Sequence, residues 1–103
     1  MSQPAYIMAR IQVRDFEAYF ERYGLPLLEV VKAFDGEFLS ATTDGEVLEG
    51  HSPANWTVLA RFPTMEAARA FYDSAQYAPL KALRMNELSD GGTLVLFPEN
   101  KPA

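Results

Sequence analysis

The chain has no cysteine and a single histidine, His51. Disulfide frameworks, thiol nucleophiles and thiolate metal sites are therefore excluded, and metal sites built on paired histidines go with them. No apolar run approaches the roughly 18 residues needed to cross a bilayer. The opening residues, MSQPAYIMARIQV, lack the basic start and long apolar stretch of a secretion signal. Basic residues never cluster. With 9 Lys+Arg against 14 Asp+Glu the net charge is −5, so the basic footprint that nucleic acid requires is missing. The phosphate-binding patterns G-x-G-x-x-G and G-x-x-x-x-G-K-[ST] are absent, as is the G-x-S-x-G of a nucleophile elbow. These absences describe a cytoplasmic protein with neither a membrane nor a nucleic acid as partner. They leave no residue set that calls for a cofactor or a metal.

What remains is a chain of 103 residues with 49% hydrophobic and 13% aromatic content, enough to bury a small core and too much for disorder. One domain spanning residues 1–103 is expected, with its ordered core at about residues 5–98. Ala5–Val13 alternates, with Ala5, Ile7, Ala9, Ile11 and Val13 on one face and Tyr6, Met8, Arg10 and Gln12 on the other; period two over this length predicts a strand. Asp15 is placed to cap a helix whose stripe runs through Phe16, Tyr19, Phe20, Tyr23, Leu27, Val30, Val31 and Phe34. Pro26 predicts a kink or break there. Asp35-Gly36 ends the helix, Glu37–Thr42 reads as a strand, Asp44-Gly45 as a turn, Glu46–Glu49 as a further short strand, and residues 50–55 as a loop.

Trp56–Phe62 is the next strand. Pro63 closes it and Thr64 caps a helix carrying Met65, Ala68, Phe71 and Tyr72. Phe62 and Phe71 are expected between this helix and the sheet. Pro79 opens a shorter helix with Leu80 and Leu83. Asn86–Gly92 reads as a polar, flexible joint, Thr93–Phe97 as the last strand, and the tail after Pro98 as frayed. The order β-α-β-β-α-β predicts an α+β, ferredoxin-like antiparallel sheet with helices on one face and the first and third strands central. The other face, bearing Tyr6 and Met8, is too apolar to stay wet, so a two-fold homodimer packed sheet to sheet is expected.

Several segments together resemble the DUF1330 family. They are AYIMARIQV at Ala5–Val13, the D-x-E-A-Y of Asp15–Tyr19, Leu48-Glu49-Gly50, and the long stretch from Arg61-Phe62-Pro63-Thr64 through Phe71, Tyr72, Ser74, Tyr77 and Leu80 to Arg84. The resemblance implies a dimeric α+β barrel, a homodimer whose sheets face each other around a barrel-like space. It implies no reaction. Families of similar architecture include cofactor-independent monooxygenases, isomerases and haem-handling enzymes. Three positions depart from the family pattern: Phe71 stands where Trp is frequent, Arg61 where an acid is common, and His51 where Asp is frequent.

Candidate functional residues are few. By alternation Arg10 and Arg61 share the open sheet face, on adjacent strands that would bring the guanidinium groups together. Two such charges call for an acid: either Glu37 or another carboxylate in a dimer-interface salt bridge, or a small organic acid in a pocket. Tyr72, Tyr77 and Arg84 form a second set, with Tyr72 packing in the core and Tyr77 and Arg84 holding the short helix in place. Tyr77 and Trp56 are also candidate pocket residues. His51, with Glu46 and Glu49, lies in a solvated loop and completes the ligand-binding candidates. The function expected is small-molecule binding by a homodimer, with cofactor-independent oxygenation or isomerisation, or a structural or interaction module, as alternatives.

Overall fold

The computed structural model describes residues 3–101. The first strand, β1 (Ala5–Val13), keeps the alternation: Ala5, Ile7, Ile11 and Val13 are buried, while Tyr6, Met8, Arg10 and Gln12 lie on the opposite face. Asp15 caps α1 (Phe16–Tyr19), its Oδ1 accepting from the backbone N–H of Glu17 at 3.0 Å and Ala18 at 3.3 Å. The helix does not break at Pro26. It widens into a π turn over Phe20–Gly24, closed by the Leu25 N–H on the Phe20 carbonyl, and resumes as α2 (Leu25–Ala33). Pro26 has no N–H to donate, so it sits in the first turn of the resumed α-helix, where none is needed.

Asp35 ends this helix in the left-handed region at φ 61, with Gly36 N–H returning to Val31 O at 2.9 Å. A Cβ on Gly36 would come within 2.5 Å of the Phe62 ring, so the close approach of helix end to sheet requires glycine.

The next strands are β2 (Glu37–Thr42) and β3 (Trp56–Phe62). The expected strand at Glu46–Glu49 does not form. Both edges of β3 are taken, by β2 and β1, and residues 43–55 instead make an irregular strap. Asn55 anchors its end: its Oδ1 accepts from Val13 N–H at 2.8 Å and its Nδ2 donates to Val13 O at 3.0 Å.

Thr64 caps α3 (Met65–Tyr72) through its Oγ1 on Ala67 N–H at 3.0 Å, and Ala68 and Phe71 are buried. Phe71 stacks on Phe62 at 5.3 Å, so both rings lie between α3 and the sheet as expected. Ser74 then joins α3 to α4 (Ala78–Leu83): its Oγ donates to Phe71 O at 2.8 Å and accepts from Tyr77 N–H at 3.1 Å. A second π turn, Arg84–Leu88, leads directly into β4 (Ser89–Pro98). The flexible joint expected before Thr93 is thus absent. Ser89–Gly92 belongs to the strand, and the ladder shifts register between Ile11 and Val13. Gly91, at φ 114, and Gly92, whose absent Cβ would meet the Arg10 carbonyl at 2.5 Å, make that irregularity possible.

The sheet order is β2-β3-β1-β4, antiparallel throughout, with β1 and β3 central. The core lies between one sheet face and the helices. The tail is tied rather than frayed at its start: Glu99 N–H bonds Pro4 O at 2.8 Å, and Tyr6 donates its hydroxyl to the Glu99 carboxylate at 2.7 Å. The last two tail residues lie outside the described ones.

Candidate functional site

The helix-covered side of the sheet holds a cavity of about 270 Å³. Ile7, Ile11 and Ala60 form its sheet wall, and Tyr19, Leu27 and Val31 belong to its helix wall. Trp56, the first residue of β3, lines it too, held edge-on by Phe16 at 5.7 Å and Phe20 at 5.4 Å. This placement follows from the strand: Trp56, Val58, Ala60 and Phe62 alternate toward the helices. The mouth side carries Phe20, Leu25 and Leu28, apolar and 43–59% exposed.

The polar groups of this lining are gathered in Tyr19, Tyr23, Tyr77 and Arg84. The Tyr23 and Tyr77 hydroxyls are 2.6 Å apart and fully enclosed. One must donate to the other, so the pair retains one O–H to offer elsewhere. Arg84 is 4% exposed, and its Nε and Nη2 have no hydrogen-bond partner among the described residues. A buried cation in that condition is costly, because the Tyr23 and Tyr77 oxygens beside it replace only part of the water it lost. Burial works against the Arg84 charge, but the neighbouring Tyr77 and Tyr23 oxygens outweigh it and hold its pKa above the ordinary value. The group therefore stays a cation. Burial raises the pKa of Tyr23 well above that of a free phenol, with Tyr77 adding to the effect and Arg84 opposing it. Tyr19 is raised likewise, first by burial. Neutral phenols beside a fixed positive charge form a donor cluster suited to an anion.

Both π turns serve this cluster. The first carries Tyr23 and the second carries Arg84. Ser89 Oγ donates to the Arg84 carbonyl at 2.8 Å and holds the second turn. Wide turns of this kind recur at functional sites because they re-aim side chains that an α-helix would send elsewhere.

The other candidates lie apart. Arg10 and Arg61 share the uncovered face, but the register pairs Arg10 with Thr57 and Arg61 with Tyr6, four positions along the ladder, so the expected juxtaposition does not occur. Antiparallel pairing of adjacent strands, and not face alone, decides which residues meet. Arg10 donates to Thr57 Oγ1, to Ala54 O at 3.2 Å and to Ser52 Oγ at 3.5 Å, holding the 43–55 strap down on β1 and β3. Arg61 pairs with Glu37 at 3.7 Å with both side chains well exposed. His51 is exposed on the strap. Among the described residues no group of three or more His, Cys, Asp or Glu is placed to hold a metal. Tyr72 is half-buried and carries the Lys81 ammonium 4.0 Å above its ring.

Two of these residues have structural roles in the sequence reading, Tyr23 as packing and Arg84 as a support of the short helix. Tyr23 belongs to the aromatic stripe of the first helix. Arg84 sits at i+7 from Tyr77 and i+4 from Leu80, and an arginine on the apolar face of a helix was the available signal for it.

The four-stranded antiparallel sheet with its helices on one face is a ferredoxin-like α+β fold. The chain belongs to the family described as "Domain of unknown function (DUF1330)", whose model matches residues 4–97. Among solved structures it is similar to a protein of unknown function from Rhodopseudomonas palustris, at 16% identity and TM-score 0.76, covering 99% of this chain and 86% of that one. It is also similar to a "putative antibiotic biosynthesis monooxygenase" from Caulobacter crescentus, at 17% identity and TM-score 0.67, covering 97% and 92%. A third is SnoaB, a cofactor-independent oxygenase from Streptomyces nogalater, at 17% identity and TM-score 0.59, covering 98% and 97%. At these identities the likeness is one of fold. No curated protein matches the chain in sequence.

Proposed function

We propose that the protein is a cytoplasmic homodimer that binds a small, mainly apolar molecule in the helix-side cavity. The observation that carries this is the cavity itself: about 270 Å³ of apolar space in a small core. Protein interiors are packed to crystal-like density, and an apolar cavity of about 150 Å³ already admits benzene. Trp56 and Tyr77 would touch the ligand, with Tyr23 and Arg84 at its polar end. Native mass spectrometry of freshly purified protein reads retained ligand and stoichiometry together. Trp56, the single tryptophan, reports occupancy by fluorescence. Unchanged Trp56 emission on titration with 2-naphthalenemethanol, a neutral apolar probe, and no retained mass, would end this reading.

The dimer is proposed on the uncovered sheet face. Met8, Leu59 and Val95 lie abreast across its three neighbouring strands, beside the Tyr6–Phe97 ring pair at 5.6 Å. An apolar band of this kind favours a sheet-to-sheet contact with a second copy. Light scattering across the micromolar range should give twice the chain mass; a persistent monomer would refute it.

A rival reading is cofactor-independent oxygenation or isomerisation in the same cavity. The spare proton of the Tyr23–Tyr77 pair beside the Arg84 cation favours it, since such a cluster can stabilise a developing oxyanion. Oxygen uptake with an aromatic substrate would move the balance to that reading.

A further inference from the structure

The polar end of the cavity says more about its ligand than its size does. An arginine has five N–H donors, arranged on distinct edges of a plane. Arg84 lines the cavity, and its Nε and Nη2 are enclosed without a partner of good geometry among the described residues, beside the Tyr23 and Tyr77 hydroxyls. A neutral ketone or hydroxyl ligand would leave the Arg84 charge without a counter-charge. The Tyr23–Tyr77 pair adds one more free donor at the same end, and no carboxylate of this chain pairs with Arg84 among the described residues. The surrounding cavity wall is aliphatic and aromatic.

We infer that the ligand is a monocarboxylic acid with a compact apolar or aromatic body, its carboxylate drawn to the Arg84 cation at the polar end of the cavity. This rests on the cavity reading above and deepens it. Arg84 then acts as a specificity residue: it selects the charged head, and the hydrophobic wall selects the body. The neighbouring hydroxyl pair donates to whichever carboxylate oxygen lies nearer to it. Arg10 and Arg61 are not among the residues lining this cavity and lie on the uncovered sheet face.

The test compares two probes of nearly equal shape, 2-naphthoate and neutral 2-naphthalenemethanol, titrated at pH 7 by Trp56 fluorescence and calorimetry. The acid should bind wild type about ten- to a hundredfold more tightly, as a charge-assisted contact predicts. Arg84→Met should abolish that preference while leaving the neutral probe bound. Arg84→Lys, which keeps the charge, should retain a measurable part of it. Equal affinity of wild type for the two probes would overturn the carboxylate inference and leave the cavity reading standing. Failure of both probes would overturn the cavity reading and this inference with it. No preference in an Arg84→Lys variant that still binds the neutral probe would overturn the assignment to the Arg84 charge. If Arg84→Met does not fold, wild type and Arg84→Lys still decide the question.

Discussion

The two faces of the sheet treat arginine in opposite ways. On the uncovered face Arg10 is knitted into its own chain by Thr57, Ser52 and Ala54, and Arg61 leans on Glu37. On the helix face Arg84 is almost fully enclosed, yet two of its nitrogens are unmet. The first arrangement is what stability favours; the second works against it. Paired, partly exposed charges are cheap to keep, whereas a buried ion without partners must be compensated by something else. An unmet charge inside a folded chain therefore points to a ligand more strongly than a visible pair of charges on a surface.

That contrast can be broken by mutation. The largest effect should come from the packing that supports both faces. Phe71→Ala removes a ring stacked on Phe62, also 4.7 Å from Tyr77, and should cost about 3–5 kcal/mol in urea unfolding. An unchanged midpoint would mean that the ring is not inward. Next come the arginines themselves. Arg84→Met replaces an unpaired ion by an apolar side chain and should leave stability unchanged or raise it by about 1–4 kcal/mol. Arg10→Met should lower it by about 1–3 kcal/mol and speed hydrogen exchange in the 43–55 strap. Equal losses in the two variants would erase the difference between the faces.

The tyrosines sharpen it further. Tyr23 and Tyr19 are both held above the ordinary phenol value of 10.0, burial being the main cause. As pH rises past that value the unfolded chain sheds these protons while the folded chain keeps them, so the folded state then binds more protons and loses stability with further rise. Below that window the two contribute no pH dependence. An ultraviolet titration should find the enclosed phenols ionising only together with unfolding; their free ionisation in folded protein would show that water reaches the cavity floor. The smallest effect is expected at the exposed Arg61–Glu37 pair, where Arg61→Met should change monomer stability by about 0–1 kcal/mol and less in high salt.

The fold was largely legible because it rests on period and punctuation. The alternation of Ala5–Val13, the caps at Asp15 and Thr64, and the burial of Phe62 and Phe71 stand where the sequence puts them. Where reading failed, a local signal met a tertiary one. Glu46–Glu49 has strand-like residues but no free strand edge of β3 to join. Gly91-Gly92 looks like a hinge, yet it fits a bulged ladder beside Arg10 and Ile11. The site was half legible. Trp56 and Tyr77 were singled out and line the cavity, while Tyr23 passed as a packing residue and Arg84 as a support of the short helix, because no residue type announces a π turn.

Those two wide turns have a consequence for inheritance. Each amounts to one residue more than an α-helix would need, and a single-codon deletion in either would return the segment to ordinary pitch. The helix and its contacts with the sheet would largely persist, but residues on one side of the deletion would rotate by about 100° relative to the other. Tyr23 would swing away from Tyr77, or Arg84 away from both. Descendants of the same ancestor could then share every strand and most side-chain identities and still differ in whether they own a binding site. The length of two short segments then decides whether Tyr23, Tyr77 and Arg84 stay together, whatever the percentage of residues held in common.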